Sequence, residues 1–188
     1  METVVMTMLA IASVIFIVYI VRLYNELVQV QTNISKSWAN IDVLAKQRYD
    51  EIPNLVRVCN AYMKYESETL EKLTRARAQF LEAKTPPEIA DADSRLAGGL
   101  KTLFAVAENY PALKAEENFR RLQTRITALE CAIADRRELY NDSVAVFNTR
   151  IMQIPYVLLT ELMGYRSQEM YQVAEEETKL SEVRFPAP

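Results

Sequence analysis

The sequence predicts an all-α protein in which an N-terminal transmembrane helix continues into a bundle of three long helices and one short C-terminal helix. Three observations lead to this fold class. Only 3 of the 188 residues are glycine, too few for the tight turns of an all-β fold. Residues 3–21 form an uncharged apolar run, and apolar residues recur in steps of three and four through most of the remaining chain.

The composition excludes most enzyme classes. The chain has no histidine, the residue most often used as a general base and as a metal ligand. Its few glycines leave no phosphate-binding loop, and a net charge of -3 gives no basic face for nucleic acid. Di-metal sites in helical bundles use Glu-x-x-His pairs, which this chain cannot form. We therefore expect no catalytic residue, metal, cofactor, small-molecule substrate or nucleic-acid partner.

Residues 1–22 are predicted to form a transmembrane anchor in a lipid bilayer. As a helix, the uncharged run reaches about 28 Å, close to the thickness of the hydrocarbon core. A cleaved signal peptide is the alternative, but the run is too long and no basic segment precedes it. Arg22 and Lys36 follow the run, which favours an outside N-terminus and a cytoplasmic bulk. The residues assigned to the bilayer are Val4, Val5, Leu9, Ile11, Val14, Ile15, Phe16, Ile17, Val18, Ile20 and Val21.

The first helix is expected to continue from the anchor to Lys84. Neither glycine nor proline occurs before Pro53, and Pro53 should kink this helix rather than end it. The segment from Thr85 to Glu88 then reads as a capping box that starts a second helix.

The second helix should break at residues 109–111 (Asn-Tyr-Pro), and a third should run from about Leu113 to Met152. A short helix over residues 156–163 should stop at Gly164, a good C-cap. The chain therefore divides into an anchor (1–22), an elongated helical bundle (23–164) and an acidic C-terminal tail (165–188).

The lengths of these helices predict an interaction surface. The first helix would extend about 95 Å beyond the anchor, whereas the second covers about 31 Å. Its proximal part would therefore have no partner from its own chain, and an exposed apolar stripe of that length normally contacts another protein. We expect the partner to be other copies of the chain, with Trp38 as the strongest anchor. The predicted interface comprises Leu27, Ile34, Trp38 and Ile41 on the stripe, with Pro53, Asn54 and Leu55 at the kink.

Charged residues also fall on the apolar register of the helices, at Arg48, Glu66 and Arg136. They are either rim residues whose tips reach water or members of a buried polar network. Short turns would place Glu66 level with residues 114–121, with Arg120 or Lys114 as its partner. The predicted core network is therefore Arg48, Glu66, Arg120 and Arg136.

The two cysteines, Cys59 and Cys131, are 72 positions apart. They are either reduced thiols packed on apolar helix faces or a single disulfide, and spacing alone does not distinguish the two. Packed thiols are the more common arrangement.

Several segments resemble the signature of LemA family proteins. They are YNELV (24–28), WANIDV (38–43), RYDEIPNLV (48–56), FAVAENYPALKAEENF (104–119) and RRELYNDSV (136–144). The resemblance covers nearly the whole chain. It implies a single-pass protein of the bacterial inner membrane with a long-helix bundle and no agreed biochemical activity. Tyr49 and Tyr65 stand where histidine is common, and Cys131 where asparagine is common, so a histidine-based site would be lost here.

Two functions fit these observations. The first is a non-enzymatic membrane scaffold that self-associates through its long helices and shapes or organises membrane. The alternative is an adaptor or sensor for another membrane protein, such as an envelope quality-control protease. The acidic tail with Phe185 is then either a docking peptide or a solvated terminus, and solvated termini are more common. An enzyme is disfavoured, because the adjacent carboxylates Asp50 and Glu51 point to different faces of a helix.

Overall fold

The structure, a computed structural model, describes residues 1–171. This part of the chain contains six helices and no strand, so the all-α fold class is confirmed. The helices are α1 (Glu2–Tyr62), α2 (Ser67–Glu82), α3 (Pro86–Ala107), α4 (Pro111–Ala115), α5 (Glu117–Met152) and α6 (Tyr156–Met163). Most of the predicted acidic tail, residues 172–188, lies outside the described residues.

Helix α1 contains both the apolar run and the first helix of the bundle. Within residues 1–171 it is the helix that is long and apolar enough to cross a membrane, and none of its most apolar window is buried inside the protein. All the residues assigned to the bilayer are exposed except Ile20, which is half-buried. Pro53 lies inside α1, and the helix continues beyond it to Tyr62.

The expectation of one unbroken first helix to Lys84 is wrong, because α1 ends at Tyr62 and the chain reverses before α2. The amide of Glu66 donates to the carbonyl of Met63 at 3.2 Å, and Met63 is buried. The reversal brings the apolar side of α2, with Leu70 and Leu73, into the same core as α1 and α3. No glycine or proline marks this turn in the sequence, so the gain in apolar burial decides it.

The second predicted helix corresponds closely to α3. The carboxylate of Glu88 accepts hydrogen bonds from the amides of Lys84 at 2.9 Å and Thr85 at 3.2 Å, and Thr85 completes the predicted capping box. These backbone hydrogen bonds lower the pKa of Glu88. The helix ends at Ala107, just before the predicted break.

The third predicted helix is divided into α4 and α5. Glu116 adopts an extended backbone, and its carboxylate accepts a hydrogen bond from the amide of Phe119 at 2.6 Å. Glu116 therefore caps the start of α5. Helix α6 has the predicted bounds and ends at Gly164, whose φ of 70° is the left-handed conformation that favours glycine.

The described chain divides into two compact units, and both α1 and α5 contribute residues to each unit. Unit 2 contains residues 40–137 and Tyr171. In it the C-terminal part of α1, α2, α3 and the first part of α5 form an up-down-up-down bundle. Tyr49 of α1 packs at 5.7 Å from Phe80 near the end of α2, so these two helices run antiparallel. The core of unit 2 comprises Ala45, Tyr49, Ile52, Leu55, Cys59, Met63, Leu70, Leu73, Ala76, Phe80, Ala92, Leu96, Leu100, Leu103, Ala107, Leu113, Phe119, Ile126 and Ile133.

Unit 1 contains residues 1–39 and 138–170. Here the second part of α5 runs antiparallel to α1: Ser37 Oγ and Ser143 Oγ are 3.5 Å apart, and Arg150 Nη1 is 3.6 Å from the carboxylate of Glu26. The ring of Trp38 lies 5.5 Å from that of Tyr140.

This pairing corrects the expectation that the apolar stripe has no partner in its own chain. Leu27 and Ile34 are buried within unit 1, and Ile41 and Leu55 are buried within unit 2. The third helix was expected to reach Met152, and this length lets its second part pack beside α1. Most of the stripe is therefore core rather than exposed surface.

The start of the predicted tail also packs against α5. Tyr165 lies 5.9 Å from Phe147, ring to ring. The side chain of Asn148 donates to the carbonyl of Gln168 at 2.9 Å and accepts from its amide at 2.8 Å. The chain is therefore held in place beyond α6.

Candidate functional site

A buried cluster of charged residues lies in the middle of unit 2. The guanidinium of Arg48 from α1 pairs with Asp93 of α3 and with Glu130 of α5, and Arg137 of α5 pairs with the second oxygen of Asp93. Arg48 is 0% exposed and Asp93 is 1% exposed. Two arginines and two carboxylates balance in charge, which is what burial of ions requires.

Tyr171 closes this cluster from the segment after α6. Its Oη donates to Asp93 Oδ2 at 2.9 Å, and the guanidinium of Arg137 lies 4.6 Å from the centre of its ring. Asp93 therefore accepts from a phenol and pairs with two arginines. The Asp93 carboxylate is buried and accepts from three donors, so it is held in place by its own chain and links the packing of α1, α3 and α5.

Tyr49 and Arg77 extend the polar core on the α2 side. The guanidinium of Arg77 lies 4.3 Å from the centre of the Tyr49 ring, and burial raises the pKa of Tyr49. The Tyr49 hydroxyl is buried and has no hydrogen-bond partner within residues 1–171. A phenol held neutral in this way does not supply a base at neutral pH.

The predicted core network agrees with the structure only in part. Arg48 lies in the buried cluster, but Arg120 and Arg136 are exposed, so their assignment to the core is wrong. Arg137 points inward instead. Arg136 and Arg137 are consecutive, so only one of them can face the core, and the rotation of α5 about its axis places Arg137 there.

Glu66 is half-buried but does not pair as predicted. The Oη of Tyr110 donates to its carboxylate at 3.1 Å, and burial, followed by this hydrogen bond, raises the pKa of Tyr110. Lys114 pairs with Glu108 instead. The turn at Met63 places Glu66 beside the end of α3, whereas a continuous first helix would not.

Sequence reasoning missed Asp93, Glu130 and Arg137. A signal was present: Asp93 is four residues after Ile89 and three before Leu96, which is the spacing of the apolar seam. Glu130 and Arg137 flank Ile133 at the same spacing. Charged residues at inward positions on three helices, balanced in sign, indicate a buried cluster.

The predicted interface retains three accessible members: Trp38 and Pro53 are half-buried and Asn54 is exposed. Asn54 lines a surface groove of about 390 Å³ in unit 2, between α1 and α5. Arg125 Nε in this groove lies 2.9 Å from the carboxylate of Glu51. The groove is lined by Glu51, Asn54, Arg57, Val58, Asn118, Arg121, Leu122 and Arg125, so its charge is positive.

The structure shows the state of the two cysteines and whether the described side chains are grouped to bind a metal ion. Cys59 is buried, Cys131 is exposed, and both are free thiols. Burial raises the pKa of Cys59 to about 11. Residues 1–171 contain no group of three or more cysteine or carboxylate side chains placed to hold a metal ion.

Comparisons with known proteins agree with the sequence motifs. The LemA family model matches residues 37–185. Magnetosome protein MamQ 2 of Paramagnetospirillum magneticum is 22% identical, with 89% of this chain and 71% of the relative covered. Magnetosome protein MamQ of Magnetospirillum gryphiswaldense is also 22% identical, with 87% and 71% covered. Protein LemA of Metamycoplasma hominis is 26% identical, with 86% of this chain and 72% of the relative covered.

Proposed function

Since this chain belongs to the LemA family, we propose that it is a membrane-anchored scaffold protein without enzymatic activity. Helix α1 ties a four-helix bundle to a lipid bilayer, and copies of the chain associate through the accessible surface of that bundle. The proposal places the chain in the bacterial inner membrane as a single-pass protein.

One observation carries the anchoring role: the apolar run and the first helix of the bundle belong to the same helix. Helix α1 continues from Glu2 to Tyr62 without a break. A cleaved leader would normally be separated from the folded part by a cleavable, extended segment. A continuous helix supports a permanent anchor.

The chemistry of the buried cluster supports the absence of enzymatic activity. Asp93 is engaged by Arg48, Arg137 and Tyr171, so its charge serves the packing of the helices. Two of the relatives are named magnetosome proteins, and neither name refers to a reaction. Both facts favour an organising role.

The arginine-lined groove around Asn54 is the surface we assign to self-association. Copies anchored in one bilayer share one orientation, which favours symmetric assembly, and the positive groove of one copy would contact an acidic part of its neighbour, since the chain has a net charge of -3. Asn54 is exposed and lies directly after Pro53, where α1 lacks one backbone donor. A change at Asn54 therefore alters the groove without altering the core.

The test is the mass and shape of the full-length protein in mild detergent, measured by light scattering and negative-stain imaging. We expect an assembly of several copies. Asn54→Arg adds bulk and charge to the groove and should weaken assembly by roughly tenfold, about 1.4 kcal/mol. Asn60→Arg is the matched control, because Asn60 is also exposed on α1 but lies outside the groove. Equal assembly of both variants would contradict the assigned surface.

An adaptor for another membrane protein is the second candidate, and a specific observation favours it. Leu27 and Ile34 are covered by their own chain, so the long apolar stripe that predicted self-assembly is no longer exposed. Arg57 and Arg121 in the groove suit an acidic segment of a partner. A wild-type protein that is a single copy in detergent would support this function and exclude the scaffold.

Orientation is a separate part of the proposal. Arg22 and Lys36 on the C-terminal flank support a cytoplasmic bulk with the N-terminus outside. The exposed thiol of Cys131 provides the test. A membrane-impermeant maleimide added to intact cells should leave Cys131 unlabelled and should label it after the inner membrane is permeabilised. Labelling of Cys131 in intact cells would indicate the opposite orientation, with the helical bundle outside the cytoplasm.

A further inference from the structure

Helix α6 and Ile154, two residues before it, expose large apolar side chains. Ile154, Leu158 and Leu162 are 84%, 70% and 84% exposed, and Leu158 and Leu162 share one face of the helix because they are four residues apart. The opposite face is buried: Thr160 Oγ1 donates to the carbonyl of Ile151 at 3.2 Å. Soluble proteins seldom leave several large apolar side chains of one short segment this exposed unless they contact a partner or a membrane.

The position of α6 identifies that contact. Within unit 1, the Oη of Tyr156 donates to the carboxylate of Glu26, and Arg150 lies beside the same carboxylate. Glu26 is five residues beyond Val21, or about 7.5 Å along α1. The polar layer on each side of a bilayer core is about 5–8 Å thick. The start of α6 at Tyr156 therefore lies level with the outer part of the headgroup layer of the bilayer that α1 would span.

The residues around α6 have the composition of a membrane interface. Tyr24 is exposed one turn beyond the apolar run, and Tyr19 lies within its last turn. Tyrosine is enriched at this depth because its ring is apolar and its hydroxyl is polar. Arg22 and Arg166 are exposed in the same unit and can pair with lipid phosphates.

We propose that Ile154, Leu158 and Leu162 insert into the boundary between headgroups and acyl chains, so that α6 is an interfacial helix. The occupant of this apolar surface is the lipid bilayer itself, because Tyr156 at the start of α6 bonds to Glu26 of α1, five residues beyond the apolar run. This inference rests on the membrane anchor of the proposed function. It gives the protein a second membrane contact, made by a segment more than 130 residues distant from the anchor in sequence.

The test places a fluorescent probe on α6 in the full-length chain. Leu158→Cys is made in a Cys131→Ser background, since Cys59 is buried and should not react. The cysteine is labelled with nitrobenzoxadiazole and the protein is reconstituted in phosphatidylcholine vesicles with about a quarter phosphatidylglycerol, a composition that models an anionic membrane. Quenching is then measured with nitroxide lipids labelled near the headgroup or near the chain end.

Two matched sites control the measurement. Leu139→Cys reports an exposed α5 position in the same unit, 47% exposed. Leu139 is adjacent to Tyr140, whose ring contacts Trp38. Trp38 lies about 25 Å beyond Val21 along α1, so a probe at Leu139 should be outside the bilayer. Ile17→Cys, at a position 61% exposed within the apolar run, reports the membrane span itself.

The probe at Leu158 should lose roughly half its emission to the shallow nitroxide, as expected for insertion to a depth of about 5–10 Å. The probe at Leu139 should lose little, and the probe at Ile17 should be quenched more by the deep nitroxide. A Leu158 probe as unquenched as the Leu139 probe, beside a quenched Ile17 probe, would overturn the interfacial helix and leave the anchor intact. An unquenched Ile17 probe would overturn the anchor and the inference together. Leu162→Cys repeats the test at an equivalent exposed site.

Discussion

Arg48 and Asp93 form an ion pair in which both side chains are almost completely removed from solvent. They come from α1 and α3, helices that are not neighbours in the sequence, and the pair joins them through the middle of unit 2. Arg137 shares the same carboxylate from α5. A buried ion pair of this kind adds little to the free energy of unfolding compared with an apolar pair of similar size. Removing one partner, however, leaves a buried charge unpaired and lowers the free energy of unfolding strongly.

Removing the shared carboxylate should therefore be severely destabilising. Asp93→Ala leaves two arginines without their common partner and should lower the free energy of unfolding by about 3–5 kcal/mol. The measurement is urea unfolding of the detergent-solubilised protein, followed by circular dichroism. Asp91→Ala is the control on the same helix, because Asp91 forms an exposed pair with Arg95 at 3.0 Å. Similar losses in both variants would show that the cluster has no special role.

Loss of the Tyr171 hydroxyl should weaken the attachment of the segment after α6. Tyr171→Phe removes one hydrogen bond to the buried Asp93 carboxylate, and bonds to charged groups are worth about 1.5–3 kcal/mol. Hydrogen exchange of residues 165–171 should become faster and the urea midpoint should fall. Tyr65→Phe, at an exposed tyrosine, should change neither quantity. If hydrogen exchange is unchanged in Tyr171→Phe, the contact between the ring and Arg137 is enough to hold this segment in place.

Two glycines should respond to alanine with opposite signs. A Cβ at Gly98 meets no atom within 4 Å, and Gly98 lies inside α3. Gly98→Ala should stabilise the protein by roughly 0.5–1 kcal/mol, because alanine loses less conformational entropy. Gly164→Ala should destabilise it by about 1–2 kcal/mol, since alanine is strained at a φ of 70°. Thermal midpoints measured side by side test both, and a stabilising Gly164→Ala would contradict the left-handed cap.

The two thiols should differ in reactivity. Cys131 is exposed, whereas Cys59 is buried and its pKa is raised to about 11, so little of Cys59 is thiolate at neutral pH. Intact mass spectrometry should find one maleimide adduct per native chain and two after denaturation. The native Cys131→Ser chain should remain unlabelled. Two adducts on the native chain would indicate that unit 2 opens around Cys59.

Glu116 should make stability depend on pH in the acid range. The amide of Phe119 lowers the pKa of Glu116 below its ordinary value of 4.5. A lowered pKa in the folded state gives stability that is present above the unfolded pKa and is lost as the pH falls through the folded pKa.

The difference in unfolding free energy between wild type and Glu116→Gln should therefore be largest at neutral pH and should shrink below about pH 4.5. Urea unfolding at a series of pH values measures it. Glu117→Gln, one position later in α5, is the control. A difference that stays constant with pH would mean that the hydrogen-bond geometry of the cap matters and its charge does not.

Local signals in the sequence were sufficient for much of the fold. The capping box of Thr85 and Glu88, and the glycine at position 164, set the ends of α3 and α6 through backbone hydrogen bonding that involves only neighbouring residues. The turn at residues 63–66 has no such signal. Nor could the sequence choose between Arg136 and Arg137, because consecutive residues both fall near the seam and only the packed helix fixes the phase.

The sequence by itself determined the helical class, the apolar segment that is long enough to span a membrane and the helix ends that carry caps, because each depends on composition or on contacts within one turn. The tertiary structure alone decided that α2 reverses onto the bundle, that α5 covers Leu27 and Ile34, and that Asp93 joins Arg48 and Arg137. These outcomes depend on apolar burial and charge neutralisation between segments that are distant in the sequence, as for Arg48 and Asp93, which are 45 residues apart. A seam of apolar residues indicates that a helix has a buried face, but it does not indicate which other helix will cover that face.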